Sequence, residues 1–188
     1  MKLVRAIRAA VAVAVVAVAV GLLAGGSSAA RTGGSGILRV GTISYIDTLN
    51  PYNYIQSQAT TAMEMIYPQL VQYLYGPHGY YFAPDWATSW QESKNGLTWT
   101  FHLHPNTKWS DGQPLTATDA AWTINTTLKY GKGPTTEMVG PLSHVTGADA
   151  PNPTTLVIHY ARPVGNVLSQ LEQVWILPKH VYAKYAAT

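Results

Sequence analysis

Residues 90–119 have the sequence WQESKNGLTWTFHLHPNTKWSDGQPLTATD, and this stretch decides how the middle of the chain folds. Apolar and polar side chains alternate over residues 97–103, and a period of two predicts a strand with one buried face and one wetter face. The apolar members are Leu97, Trp99, Phe101 and Leu103. Asn95 and Gly96 precede the strand and predict a tight hairpin turn, because both tolerate positive φ. If the ring of Trp99 is buried, Trp99→Ala should cost about 3–5 kcal/mol of folding free energy.

A second turn and a helix start follow this strand. Residues 110–112, Ser-Asp-Gly, predict the turn, and Pro114 prevents the next residues from extending a central ladder. Thr116 with Asp119 three residues later is a variant of the capping box, which marks a helix N-terminus. An apolar stripe follows, so we predict an amphipathic helix over residues 117–129.

This order of elements closely resembles a segment of the extracellular solute-binding proteins of ABC peptide and nickel importers, family 5. In that family an aromatic-alternating strand leads into the run lysine-aromatic-x-Asp-Gly-x-Pro and then into a helix. Residues 108–119 reproduce the run, whereas His104 departs from the arginine that usually follows the strand. Residues 38–52 resemble the family's first strand and its Leu-Asp-Pro turn, with Asn50 in place of aspartate, and residues 175–181 resemble its Pro-Lys-His segment. An unrelated hairpin followed by a helix would match each turn alone, but not their joint spacing.

The resemblance implies an α/β fold. It would be the N-terminal part of a two-lobed, type II periplasmic-binding-protein-like architecture, with a mixed sheet plus a small α+β subdomain. Family chains are several times longer, so we expect this chain to be the N-terminal fragment of a larger gene product; a natural remnant would look the same. The predicted segments are a signal peptide at 1–30, a flexible linker at 31–36, the start of lobe I at 37–80, a small subdomain packed on lobe I at 81–175, and a return segment towards lobe I at 176–188.

The first 30 residues have the layout of a secretory signal peptide. A positive start with Lys2, Arg5 and Arg8 precedes an apolar run over residues 9–24 and a zone of small residues. A membrane helix needs about 20 apolar residues, so the run is short for an uncleaved anchor, which is the alternative. Residues 23–25 form part of a lipobox, but the chain has no cysteine and thioether lipidation is impossible. We therefore expect export to the periplasm or the cell exterior.

Charge and motifs argue against two classes of function. The chain holds 12 Lys+Arg and 9 Asp+Glu, and three of the basic residues belong to the leader. The remainder is balanced and has no Lys/Arg run, so nucleic-acid binding lacks its basic footprint. The sequence contains no G-x-S-x-G, no H-E-x-x-H and no glycine-rich phosphate loop. We therefore predict no enzyme activity, no catalytic residues and no cofactor.

The rest of the chain predicts short helices and strands joined by turns. We predict a strand at 37–43 and a helix that begins at 59 and ends near 67, before Pro68. A strand at 80–82 should pair across a turn at 76–79. Strands at 144–148 and 155–160 should form a hairpin through a turn-rich connection at 149–153, and a short helix should follow at 167–171.

The ligand-binding residues are implied by the resemblance. Peptide binders of the family grip the ligand backbone by strand-like hydrogen bonds inside a water-filled cleft, and the residues just before the Leu-Asp-Pro turn line that cleft. The matching residues here are Tyr45, Ile46 and Asp47. Tyr45 would stack on a ligand or hydrogen-bond to it, and Asp47 would meet a cationic group. The alternative is that all three are ordinary turn residues at a strand end.

Other aromatic and histidine side chains have structural explanations. Five tryptophans suggest a sugar-binding platform, but their positions match subdomain packing in the family, so we expect them in or beside the core: Trp86, Trp90, Trp99, Trp109 and Trp122. Tyrosines at 73–81 suit a half-wet interface that faces a cleft or a partner lobe. His102 and His104 share one strand face, but without a third ligand nearby we predict a wet face and no metal site. His180 is expected to be structural.

We therefore expect a substrate-binding component of an ABC transporter that captures extracytoplasmic peptides of the oligopeptide or dipeptide class for import. Its partners would be a peptide ligand and the ABC permease of the inner membrane, and the chain would act as a monomer. A nickel complex, an oligosaccharide or haem carried on the same fold are alternative solutes. A truncated remnant and a structural surface domain are alternative functions.

Overall fold

The computed structural model describes residues 41–52, 54, 56–131 and 138–186. From Thr42 onward the described residues belong to one compact unit. The predicted signal peptide and linker lie outside the described residues, as does most of the strand predicted at 37–43, and its described part is not a strand. None of the described helices has the length and apolar character that a bilayer span requires.

The described part contains four helices and six strands. The helices are α1 (Ser57–Glu64), α2 (Ala117–Tyr130), α3 (Val167–Leu171) and α4 (Lys179–Tyr182). The strands are β1 (Val71–Gly76), β2 (Gly79–Pro84), β3 (Ala87–Glu92), β4 (Thr98–Leu103), β5 (Val145–Asn152) and β6 (Thr155–Tyr160). β1 and β2 form a ribbon, and the other four strands form a sheet in the order β3-β4-β6-β5. All of these described pairs run antiparallel.

β4 confirms the strand predicted in the middle of the chain. Phe101 and Leu103 are buried and His102 is exposed, as the alternation requires. Gly96 adopts a φ of +69° in the turn before the strand, which explains the glycine at this position. The ring of Trp99 is only partly buried. Trp99→Ala should therefore cost less than the about 3–5 kcal/mol expected for a fully buried ring.

α2 begins at the predicted capping box. The backbone N–H of Thr116 donates to Oδ2 of Asp119 at 2.9 Å, and the reciprocal half of the box is also present. The helix ends at Gly131, whose N–H donates to the carbonyl of Thr127 at 2.9 Å. Its apolar stripe packs against β5 and β6. The helix predicted over residues 117–129 is confirmed and is one residue longer.

α1 ends earlier than predicted, at Glu64 rather than near residue 67. The chain already turns at Met65, whose N–H donates to the carbonyl of Ala62 at 3.2 Å. The strand predicted at 80–82 is confirmed as part of β2, which pairs with β1 across the turn at Pro77 and His78. Each strand supplies the hydrogen bonds of the other.

The hairpin of β5 and β6 is confirmed, but β5 is longer than predicted. The stretch at 149–153 was expected to be a turn-rich connection, and most of it is strand. The register between the two strands shifts between Asp149 and Asn152. Such an irregularity accommodates Pro151, which has no N–H for the ladder. The short helix α3 forms at the predicted residues.

The core lies between α2 and the four-stranded sheet and continues into the segment after α3. Trp86 is buried, and Trp90, Trp99 and Trp109 pack against the core from partly exposed positions. Trp122 is also only partly exposed. The first four of these tryptophans therefore lie in or beside the core, as the sequence predicted.

Candidate functional site

The residues predicted to contact a ligand lie together on an exposed segment that precedes α1. Tyr45 and Ile46 expose 69% and 52% of their surface, and Asp47 is exposed as well. Oδ2 of Asp47 accepts a hydrogen bond from the backbone N–H of Gln56 at 3.4 Å. Because Gln56 is the N-cap residue of α1, this contact attaches the segment to the start of that helix.

Side chains build the turn that follows this segment. Oγ1 of Thr48 accepts from the N–H of Asn50, and Oδ1 of Asn50 accepts from the N–H of Tyr52, both at 3.0 Å. An asparagine carbonyl provides the same acceptor here as an aspartate carboxylate would. The replacement of the family's aspartate by Asn50 therefore preserves the turn.

A cavity of about 390 Å³ opens between α1, β1 and the segment that follows α3. The described residues that line it include three aromatic rings, two carboxylates and three glutamines, with no lysine, arginine or histidine among them. Tyr45, Ile46 and Asp47 are not among these residues. The cavity is therefore a second candidate site, separate from the exposed segment.

Aromatic rings form one wall of the cavity. Tyr54 meets Trp175 edge to face, with ring centroids 5.3 Å apart. Tyr73 contributes the third ring and stacks on Tyr80 with centroids 5.0 Å apart. Trp175 is buried, and its Nε1–H has no acceptor among the described residues. These ring contacts hold the wall in place.

Glu64 and Glu172 are the two carboxylates of the cavity. Burial raises the pKa of Glu172 above its ordinary value, and the negative charge of Glu64 raises it further. The ion pairs of the described residues involve neither of them. The side-chain amide of Gln69 donates to the backbone carbonyl of Glu172 and joins this turn to the start of β1. Two like charges thus face one cavity without a neutralising partner in the described part of the chain.

We expect Glu172→Gln to raise the melting temperature at pH 7. The folded state disfavours the ionised carboxylate, so Glu172 lowers stability once the pH rises from its ordinary pKa of 4.5 through the raised value. Below that window the carboxyl is neutral in both states, and the difference between variant and parent should vanish. Thermal unfolding at pH 7 and at about pH 4 measures this. Glu92→Gln, an exposed change on β3, is the control; a variant less stable than the parent at pH 7 would contradict the expectation.

The ribbon of β1 and β2 presents tyrosines to solvent. Tyr73, Tyr75, Tyr80 and Tyr81 are all exposed. Tyr75 meets the ring of Tyr80 edge to face at 5.0 Å, so the rings support one another. That they form a half-wet interface facing a cleft or a partner lobe stays a prediction.

Hydrogen bonds attach the segment with the Pro-Lys-His motif to α2. Oδ1 of Asp119 accepts the N–H of Lys179 at 3.0 Å, while its Oδ2 caps the helix. Oγ1 of Thr123 accepts the N–H of Leu177 at 3.0 Å and donates to the carbonyl of Asp119 at 2.8 Å. A single buried carboxylate and one hydroxyl thus dock this segment on the first two turns of the helix.

His180 contacts the turn at 110–112. Its Nε2 lies 2.7 Å from Oδ2 of Asp111. This contact and the N–H of Gln113 hold the pKa of Asp111 below its ordinary value. The structural role predicted for His180 agrees with this contact. His102 and His104 are exposed, and the described residues contain no group of three side chains suited to hold a metal.

The cavity was not visible in the sequence. Its two carboxylates are separated by more than a hundred residues, and each looks like an ordinary surface acid at the end of a short helix. Gln69 belonged to no motif, and Trp175 was noted only as the first residue of the segment that resembles the family's Pro-Lys-His segment. Only the close approach of α1, β1 and the segment after α3 brings these side chains together.

Comparison with known proteins settles the family. Residues 82–188, more than half of the chain, match the family described as "Bacterial extracellular solute-binding proteins, family 5 Middle". The chain belongs to this family. The resemblance inferred from residues 108–119 is thereby confirmed.

Named relatives bind different solutes. The "Probable D,D-dipeptide-binding periplasmic protein DdpA" of Escherichia coli K12 is 31% identical over 137 residues, which are 72% of this chain and 26% of that protein. The "Nickel-binding periplasmic protein" of the same bacterium is 38% identical over 76 residues, which are 40% of this chain and 14% of that protein. The chain spans less than a third of the length of the curated relatives it matches.

Solved structures confirm the fold. OppA of Haemophilus influenzae, in complex with the peptide RPPGFSPFR, superimposes with a TM-score of 0.61 at 25% identity, over 73% of this chain and 29% of that chain. The chain therefore has the α/β fold of part of a type II periplasmic binding protein. The predicted boundaries between lobe I, subdomain and return segment stay predictions.

Proposed function

We propose that the chain is part of a substrate-binding component of an ABC transporter that captures extracytoplasmic peptides for import. The observation that carries this proposal is the family match over residues 82–188, together with similarity to a dipeptide-binding protein. Peptides of the dipeptide or oligopeptide class are the proposed ligand. The ABC permease of the inner membrane is the proposed partner.

In our proposal the protein binds its solute and does no covalent chemistry. Two lobes close on the solute about a hinge, and the closed form is presented to the permease. The ATPase of the transporter supplies the energy. The part described here would contribute one side of the cleft. Export through the leader would place it in the periplasm or outside the cell, where it would act as a monomer.

Tyr45, Ile46 and Asp47 are the proposed ligand contacts. All three are exposed, and the link from Asp47 to the N-cap residue of α1 gives the segment a defined position. An exposed tyrosine ring offers stacking area and a hydroxyl, and a carboxylate offers a partner for a cationic group. Strand-like hydrogen bonds to the ligand backbone would come from the same exposed segment.

Disruption of the gene in its native bacterium tests the proposal. Uptake of a labelled dipeptide and a labelled hexapeptide should fall severalfold and return when the intact gene is supplied. The Tyr45→Ala/Asp47→Ala double variant should restore less uptake than the parent. Tyr130→Ala, an exposed change at the end of α2, is the matched control and should restore uptake fully.

Labelled nickel and a labelled sugar are followed in the same cells, because one relative is a nickel binder. Loss of nickel or sugar uptake with normal peptide uptake would keep the importer function and overturn the peptide assignment. Normal uptake of every solute would overturn import altogether. Normal uptake with the double variant would overturn the assignment of Tyr45 and Asp47.

A further inference from the structure

The cavity beside α1 has two carboxylates in its wall and no cationic side chain among the described residues that line it. Glu64 and Glu172 both line it, close enough that the charge of Glu64 raises the pKa of Glu172. Neither carboxylate takes part in an ion pair of the described residues. Both carboxylates line the cavity, Glu64 at an exposed position and Glu172 at a half-buried one. The cavity therefore offers two negative charges to a positive group that enters it.

We propose that this cavity binds the guanidinium or ammonium group of the captured solute. A planar guanidinium donates several N–H bonds in a fixed fork, which suits carboxylates that take part in no ion pair of the described residues. The volume of about 390 Å³ accommodates an arginine-sized side chain with part of its backbone. This inference rests on the proposed function, since the cation is taken to belong to the solute.

The rings around the carboxylates favour a cation over a neutral group. Tyr54, Tyr73 and Trp175 line the same cavity, and aromatic faces attract organic cations within about 6 Å. The contact between Tyr54 and Trp175, with centroids 5.3 Å apart, holds these two rings in a fixed relation. A preordered ring wall lowers the entropy that binding would cost.

Polar groups at the cavity suit a solute that carries amides beside its cation. The side-chain amide of Gln69 donates to the carbonyl of Glu172, and that of Gln72 donates to Oδ1 of Asp85 at 3.0 Å. These bonds orient both glutamines, whose side-chain oxygens remain acceptors for N–H donors. A peptide with a basic side chain matches this set of groups.

Direct binding to the purified chain tests the inference. The probe is N-acetyl-L-arginine amide, and its matched control is N-acetyl-L-citrulline amide, which has the same shape without the charge. Saturation-transfer NMR should show saturable binding of the arginine probe with a Kd of about 1 mM, as expected for a small ligand in one subsite. The citrulline probe should bind at least about tenfold more weakly, because it gains nothing from the two carboxylates.

Charge-neutralising variants locate the site. Glu172→Gln and Glu64→Gln should each weaken binding of the arginine probe at least about threefold, while Glu92→Gln on the four-stranded sheet should leave it unchanged. Loss of binding through unfolding is controlled by the melting temperature, which Glu172→Gln should raise. Equal binding of both probes, or equal weakening by Glu92→Gln, would overturn the inference.

The two proposals can fail separately. Normal peptide uptake that depends on the gene, with no binding of the arginine probe, would overturn the cation site and leave the importer function standing. Binding of the probe with no effect of the gene on uptake would overturn the importer function and leave a cation-binding cavity.

Discussion

Phe101→Ala should destabilise the folded unit by about 3–5 kcal/mol. The side chain has no exposed surface and lies on β4, between β3 and β6. Its ring lies 6.4 Å from that of Trp90 and 6.3 Å from that of Trp99, measured between centroids. Removal of the ring leaves a void that two large indoles cannot fill, so the lost contacts add to the lost burial.

Urea denaturation followed by tryptophan fluorescence measures this loss. Trp99→Ala is the matched comparison on the same strand, and it should cost less, about 2 kcal/mol, because its ring is only partly buried. Phe101→Leu, which retains most of the volume, should cost about 1 kcal/mol. A smaller loss for Phe101→Ala than for Trp99→Ala would contradict the packing described for β4.

Asp119→Ala should cost about 2–4 kcal/mol, through two separate losses. The carboxylate is 6% exposed and serves two chain segments at once. One oxygen caps α2 at the N–H of Thr116, and the other accepts the N–H of Lys179. Alanine removes the cap and also leaves the docked segment with an unpaired, partly buried donor.

Thr118→Ala is the control for this substitution, because Thr118 is exposed on the same helical turn. It should change the free energy of unfolding by less than about 0.5 kcal/mol. The loss of stability in Asp119→Asn should lie between the losses in Thr118→Ala and Asp119→Ala, since an amide retains only one acceptor oxygen. Hydrogen exchange at the N–H of Lys179 separates the two losses. Unchanged protection there in Asp119→Ala would show that the carboxylate acts only as a helix cap.

The sequence anticipated those elements whose signal is local. Gly96 needs positive φ, and the turn before β4 forms there. Thr116 and Asp119 lie three residues apart, and the capping box that starts α2 depends on nothing outside that turn. The alternation over residues 97–103 named Phe101 as buried, because a period of two decides which face a side chain takes.

Boundaries that depend on pairing were less accessible. Pro151 looked like part of a connection, yet an irregular register lets the strand continue through it. There the pairing with β6 decides the conformation, and the local pattern of turn residues does not show it.

The sequence by itself determined the family, the capped helix and the amphipathic strand, because each rests on residues close together in the chain. Only the tertiary structure decided which side chains share the cavity and how Asp119 reaches Lys179. The physical reason is that a charge or a hydrogen-bond donor acts on whatever lies a few ångströms away in space. Because those partners are far apart along the chain, no periodic pattern in the sequence predicts that they come into contact.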